Sequence, residues 1–510
     1  MELALCNRCR GFNAKDLAFT CSVLKGGPCS SCKEAADIQG QIKRLEEEII
    51  IKLKGKHHAL RTKINSIHDP FIHTFPPEIG SYIFRLSLPT LDFGGFCPWP
   101  ERKEVTGALR LGAVSRKWRQ LAWTTQNLWE ILYLHIGPST TNALAKSFPG
   151  LLQEWLGRSG VLPLTIFFAN DYSGRSEIEF AIPRIIEVIN LHSGRWRNLF
   201  LDVGADVSKL FSGSEHPNQI IHLQLATRSR RSRTQKFVME SKPFPTHLQL
   251  RNFPPRLIDI GWDNLTHASL CTLSATECLE VLRQAPNLES CHASQFIEPS
   301  RGPTVNHGTT VFHSKLRILG TSHGATKFLS AIVVPALEEW THYAHGDPSF
   351  VTTMVSLFTR SGCCLKMLDL STASADLPIL LQAIPSLERL QLRYQPSDVL
   401  HDIFDRIFRS LADRGVIPLG DTDHETFLPC LQFMEYAKTF SWDRIPHLYR
   451  QGNRHSLTLK FPTNRSQTSD ETATELLKLV DEGAKFQILD TFDGGDFLAN
   501  FRKKMGKASH

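Results

Sequence analysis

Residues 264–294 read NLTHASLCTLSATECLEVLRQAPNLESCHAS. A leucine at 265 is followed by a short apolar stretch and then by SATECLEVLRQAP. Ser274 and Glu277 have the spacing of a capping box, which satisfies two backbone N–H groups at a helix start. Cys278, Val281, Leu282 and Ala285 then fall on one helical face. After the proline the pattern restarts at Leu288. The leucines that open such units are Leu265, Leu288, Leu316, Leu337, Leu365 and Leu387, with gaps of 23, 28, 21, 28 and 22 residues. Upstream, HLQL occurs at His222–Leu225 and again at His247–Leu250, 25 residues later. Downstream, Leu431 lies 44 residues past Leu387, about two periods.

The segments between these leucines carry their own helix signals. Asp376 and Pro378 start one, with Leu377, Leu380, Leu381 and Ile384 as its apolar face. Val351, Met354, Val355 and Phe358 form another, stopped by Gly362. Ala473, Leu476, Leu477 and Val480 form a third, stopped by Gly483 and followed by the strand-like FQIL. A strand and a helix every 20–29 residues is the leucine-rich-repeat arrangement. The spacing therefore predicts an α/β fold over residues 150–500, an irregular leucine-rich-repeat-like solenoid of alternating strands and helices. The asparagine of the best-known repeat consensus is absent from most units, and an α/β domain with coincidental spacing is the alternative. A solenoid offers a long strand-lined surface that holds proteins by shape and scattered side chains.

The chain has 510 residues, a net charge of +7, 41 % hydrophobic and 21 % charged residues. That balance predicts a folded core and does not by itself indicate nucleic acid. The longest apolar run, Ala331–Leu337, is far short of the roughly 20 residues that span a bilayer. The first residues, MELALCNRCRGF, show no stretch of signal-peptide length. These features predict an intracellular protein, cytoplasmic and/or nuclear, with no membrane partner. Its 12 cysteines are then expected as thiols or metal ligands, and the sequons at Asn264 and Asn464 carry no meaning.

Five cysteines lie within the first 32 residues, and four form the pairs CNRC and CSSC with 19 residues between them. Two C-x2-C pairs at that separation suit one tetrahedral zinc. Cys6, Cys9, Cys29 and Cys32 in segment 1–34 are therefore the candidate ligands of a single structural zinc. A cysteine-bearing tail without metal is the alternative. A RING finger needs eight ligands for two ions, which this segment lacks.

Segment 35–69 reads as an amphipathic helix or short coiled coil. Ile38, Ile42, Leu45, Ile49, Leu53, Leu60, Ile64 and Ile67 recur at steps of three, four and seven, opposite charges such as KRLEEE at 43–48. Gly40, Gly55 and the repeated four-residue steps break strict heptad order. Packing on the next domain and dimerisation are both open from the sequence.

Residues 75–89 read FPPEIGSYIFRLSLP, and residues 109–129 read LRLGAVSRKWRQLAWTTQNLW. Pro76 and Pro77 begin a helix, a position that tolerates proline. Leu111, Val114, Trp118 and Leu121 follow at steps of three and four. A unit of about fifty residues cannot bury this much apolar surface by itself, so a partner surface is expected. The pattern closely resembles the F-box. Its opening is matched at Pro76, Glu78, Ile79, Ile83 and Phe84, with Phe75 in place of the usual leucine. Its closing part is matched at Leu111, Val114, Ser115, Trp118, Arg119, Leu121 and Ala122. The spacer Thr90–Ala108 is longer than in a minimal F-box and looks like an inserted loop. The resemblance implies an F-box domain over 70–135 that docks on the Skp-type linker of a cullin–RING ubiquitin ligase. The contact residues it implies are Phe75, Pro76, Ile79, Ile83, Phe84, Leu88, Leu111, Val114, Trp118 and Leu121. The layout also resembles the expanded F-box proteins of mushroom-forming fungi, which place a helical lead-in before the F-box and a leucine-rich-repeat-like region after it. QEWLGRSGVLPLTI and HSGRWRNLFLDV look like the start of that region.

Together these features predict a non-catalytic adaptor that binds the linker at one end and an unknown protein substrate on the repeats. The common nucleotide-binding, metalloprotease and hydrolase motifs are absent from the sequence. A scaffold with no ligase association is the rival. Nucleic-acid binding fits poorly, because the one dense basic run, RSRRSRTQK at 228–236, has no interleaved aromatic residues. That run reads as an import signal or as a solvated loop. Residues 501–510 read as a basic tail.

Overall fold

A computed structural model describes residues 30–67, 74–89, 99–100, 105–171, 177–228, 236–297, 310–343, 349–371, 376–393, 428–436, 445–446, 456–461, 470–491 and 494–508. The chain divides into two compact units. The first holds residues up to 88 together with 106–125, and the second holds 89–105 and everything from 126 onward.

The first unit is helical. Helix α1 (Ser30–Ile67) runs for 38 residues, beginning earlier than the segment expected at 35–69. Helices α2 (Pro77–Leu86), α3 (Gly107–Val114) and α4 (Arg116–Thr124) follow. The helical unit ends at Thr125, short of the expected boundary at 135. The reason is local: Ile131–Ile136 already forms strand β1, whose alternate residues Leu132, Leu134 and Ile136 are buried.

The second unit is mixed α/β. Among the described residues, 14 strands form one open sheet with β1 and the last strand, β16 (Phe486–Asp490), at its edges. Every neighbouring pair in it is parallel, and the spatial order follows the chain order. Between the edges lie β2 (Leu164–Asn170), β3 (Trp196–Asp202), β4 (His222–Ala226), β5 (His247–Arg251), β6 (His267–Cys271), β7 (Ser290–Ser294), β9 (Ile318–Ser322), β11 (Glu339–Tyr343), β12 (Met367–Leu370), β13 (Arg389–Leu392), β14 (Phe433–Tyr436) and β15 (Leu457–Phe461). Strands β8 (Val311–Phe312) and β10 (Ile332–Val333) pair separately. Consecutive parallel neighbours favour crossovers of one hand, with their helices on one face of the sheet. The connecting helices Ala275–Gln284, Thr326–Ser330, Phe350–Ser361 and Leu377–Gln382 accordingly pack side by side in order.

Parallel strands covered on both faces read as continuous apolar runs. Here β5 reads HLQLR, with Leu248 and Leu250 buried and His247, Gln249 and Arg251 on the other face. Alternation of this kind, seen also in β6 and β11, marks strands with one helix-covered face, whereas β2 and β3 are buried along nearly their whole length. The same inner register carries Leu199, Leu223, Leu248, Leu319, Leu368 and Leu390, all buried.

The six leucines of the sequence period are each 0 % exposed. They do not open the strands; each lies two residues before one, ahead of β6, β7, β9, β11, β12 and β13. Hydrogen bonding explains the offset. At each step one carbonyl accepts two successive N–H groups of the next strand. The Thr266 oxygen takes Glu289 N–H (2.8 Å) and Ser290 N–H (3.0 Å), and the Glu289 oxygen takes Arg317 and Ile318. The pattern continues from Arg317 to Glu338 and Glu339, from Glu338 to Lys366 and Met367, and from Lys366 to Glu388 and Arg389. The doubled acceptor kinks the backbone between leucine and strand.

The expected helix signals are realised. The Ser274–Glu277 box is closed in both directions, with the carboxylate accepting the Ser274 N–H at 2.8 Å. Gly362 adopts φ of 60° where it ends Phe350–Ser361, and Gly483 adopts φ of 101° after Asp470–Asp481. These are left-handed conformations that favour glycine. Residues 501–508, expected as a tail, are instead the second half of a helix, Phe497–Ala508. Its Phe497 and Phe501 rings stack at 6.1 Å, Leu498 is buried, and Arg502 pairs with Asp481. Among the described residues no helix is long and apolar enough to cross a membrane.

Candidate functional site

Two surfaces are candidates, one on each unit. In the helical unit the motif residues have distinct mechanical jobs. Ser115 is extended, with φ of −152°, and so separates α3 from α4. Its hydroxyl accepts the Trp118 N–H at 3.2 Å, an N-cap that explains a serine three residues before the tryptophan. Arg119 Nε donates to the Gly112 carbonyl at 2.9 Å, tying the two helices together. The Ser81 and Thr125 hydroxyls lie 2.8 Å apart and join α2 to the end of α4. Phe84 is 1 % exposed, and its ring lies 4.8 Å from that of Trp118. A Cβ on Gly107 would stand 2.1 Å from Leu88 Cδ2, so that contact requires the bare backbone of glycine.

The ten residues expected at the linker contact therefore separate into two sets. Phe84 is buried, and Ile83, Leu88, Leu111, Trp118 and Leu121 are half-buried, so these hold the helices together. Phe75, Pro76, Ile79 and Val114 are exposed, Ile79 at 45 % and Val114 at 53 %. Tyr82, Leu86 and Leu109 are exposed as well and were not among the expected contacts. Tyr82 and Leu86 follow Ile79 by three and seven residues, the helical spacing that could have marked them from sequence. Isolated apolar residues on a surface are ordinary, whereas several on one small unit mark an interaction site.

The second surface is the sheet face opposite the helices. Its central register runs Tyr133, Phe167, Phe200, Gln224, Gln249, Ser269, His292, Gly320, Thr341, Asp369, Gln391, Glu435 and Lys460. Its chemistry thus changes from aromatic through amide and imidazole to charged. At the aromatic end Phe167 and Phe200 stack at 4.5 Å, and Trp99 packs edge-on at 5.6 Å from Phe167. At the charged end Arg393 pairs with Asp369 (3.1 Å) and Lys460 with Glu435 (3.0 Å). Burial foremost raises the Asp369 pKa, against the opposing pull of Arg393.

Between them His222, His247 and His267 occupy one register, with ring centroids 4.3 and 4.4 Å apart. Asn198 donates to Thr165 Oγ1 (2.9 Å), which leaves its own oxygen to accept from His222 Nδ1 at 2.7 Å. Burial, followed by the nearby His247, Arg197 and His267, lowers the His222 pKa to about 4. His247 and His292 are lowered for the same leading reason. Burial therefore disfavours a charge on His222 and His247. The histidine that begins each of HLQL, HLQL and HASL was the sequence signal for it.

Cys278 and Cys291 are buried on the helix side, where burial pushes the Cys291 thiol up to about 12 and Cys278 well up. They pack as small apolar groups. Of the expected zinc ligands, Cys6, Cys9 and Cys29 lie outside the described residues, and Cys32 falls in the first turn of α1. Of the basic run at 228–236, Arg228 pairs with Asp171 at 2.6 Å, and 229–235 lie outside the described residues. Compared with protein-family models and with curated proteins, the chain returns no match.

Proposed function

We propose that the chain is a non-catalytic F-box adaptor that brings a protein substrate to a Skp–cullin–F-box ubiquitin ligase. In this reading α2–α4 are the F-box, and their exposed face docks on the Skp-type linker. The observation that carries the proposal is the ordered motif together with apolar side chains left outward at Ile79, Tyr82, Leu86, Leu109 and Val114. The sheet region is proposed to be a leucine-rich-repeat-like solenoid. Strand order that follows chain order supports this, as does a buried leucine two residues before each of six strands. Its helix-free face is proposed to hold the substrate, with the histidine stack and the flanking ion pairs as scattered polar contacts. Cys6, Cys9, Cys29 and Cys32 are proposed to hold one structural zinc at the start of α1.

Co-expression with a Skp-type linker tests the docking proposal. The wild-type chain should co-purify with the linker, and Ile79→Asp, which changes an exposed residue, should not. Trp118→Ala is a poorer probe, because Trp118 packs on buried Phe84 and its loss also weakens the unit. Failure of the folded wild-type chain to bind the linker would leave the scaffold reading in its place.

A further inference from the structure

Helix α1 is about 57 Å long at 1.5 Å per residue. Its apolar side is exposed along that length: Ile38, Ile42, Ile49, Leu53, Leu60 and Ile64 are each 43–59 % exposed. A solvated helix of this length with one apolar stripe normally covers that stripe with another element.

Six residues of the stripe also recur at eleven, alongside the sevens of Ile38–Leu45, Ile42–Ile49 and Leu53–Leu60. Ile38, Ile49 and Leu60 are spaced by eleven, as are Ile42, Leu53 and Ile64. Eleven residues make close to three turns, so the stripe stays on one side of a nearly straight helix. The repeated four-residue steps that break heptad order are therefore regular on this longer period.

Charge selects the occupant and its direction. Residues 33–48 carry five acidic and three basic side chains, whereas 52–63 carry five basic and no acidic ones. A parallel copy would set the basic halves against each other. An antiparallel copy sets the acidic half of each against the basic half of the other. The register is also legible. Residue numbers that sum to 102 pair Ile38 with Ile64, Ile42 with Leu60 and Ile49 with Leu53. The same register sets Glu46, which borders the seam, level with Lys56 of the other copy, and brings Glu48 level with Lys54 on the outer flanks. We propose that α1 is a dimerisation element that pairs antiparallel with α1 of a second copy, centred on residue 51, on the apolar seam between Ile38 and Ile64, with the acidic half of each helix alongside the basic half of the other.

Sedimentation velocity on the full chain at micromolar concentration is the test. The wild-type chain should be a dimer. E46K/E48K places like charges at four positions in the antiparallel register and should raise the dimer dissociation constant at least about tenfold. The quadruple variant E46K/E48K/K54E/K56E restores opposite charges and should recover the dimer, which separates loss of pairing from loss of folding. In a parallel pair E46K/E48K exchanges one like-charge contact for another and changes little. A monomeric wild-type chain, an E46K/E48K dimer as tight as wild type, or a quadruple variant as weak as E46K/E48K would each overturn the proposal.

Discussion

Gly320 and His292 show how closely single residues are matched across the sheet. They are register partners on β9 and β7, and a Cβ on Gly320 would lie 1.9 Å from His292 Nδ1. Gly320→Ala must displace the imidazole, and it should destabilise by about 1–3 kcal/mol, the usual cost of overpacking. A shift in the urea midpoint without a change in slope would record this. The imidazoles also predict a pH dependence. The folded-state pKa of His222 is about 4, below the ordinary 6.5 that the unfolded chain keeps. Between those values the unfolded chain binds a proton that the folded chain does not, so stability falls as pH is lowered from 6.5 to about 4. His247 and His292 act in the same direction. Replacing His222 by glutamine should flatten the melting temperature across that window, and an unchanged slope would count against this dependence.

Among the elements, the helices were the most legible, because caps and stops are local. Ser274 with Glu277, Gly362 and Gly483 each act within one turn of chain. The strand–helix period was legible in the leucines, but six strands start two residues after them, and β1 fell within the segment read as helical. The cause of the two-residue offset, one carbonyl receiving two N–H groups from the next strand, is a contact between repeats and leaves no mark in composition. The final helix was missed because a basic run drew attention from Phe497, Leu498 and Phe501, whose spacing anchors it. At this scale the buried leucines give a sharp expectation. Leu316 is 0 % exposed, within the continuous core between the sheet and its helices. Leu316→Ala should cost roughly 2–5 kcal/mol in chemical denaturation. Leu288→Ala and Leu365→Ala should fall in the same range, and a negligible loss at any of the three would break the equivalence of the repeats.

For the whole molecule, the order of segments was readable, but their boundaries were not. The sequence pattern runs from Pro76 to Trp129, yet the helical unit ends at Thr125, and Trp129 is already fully buried in the sheet unit. Likewise the spacer Thr90–Ala108 reads as an inserted loop, while Trp99 within it packs against Tyr133 and Phe167 of the sheet. An apolar residue advertises burial without naming the surface that buries it. The division of the ten motif residues into internal supports and outward side chains was hidden for the same reason. That division makes the docking proposal testable with little risk to folding, since Ile79 and Val114 are the exposed members. Calorimetric titration of the full chain with a Skp-type linker is the most direct measurement. The account predicts one linker bound per chain, and for Val114→Asp an affinity at least about tenfold weaker with unchanged thermal stability. No binding by the wild-type chain, or binding by Val114→Asp and Ile79→Asp as tight as by the wild-type chain, would contradict it.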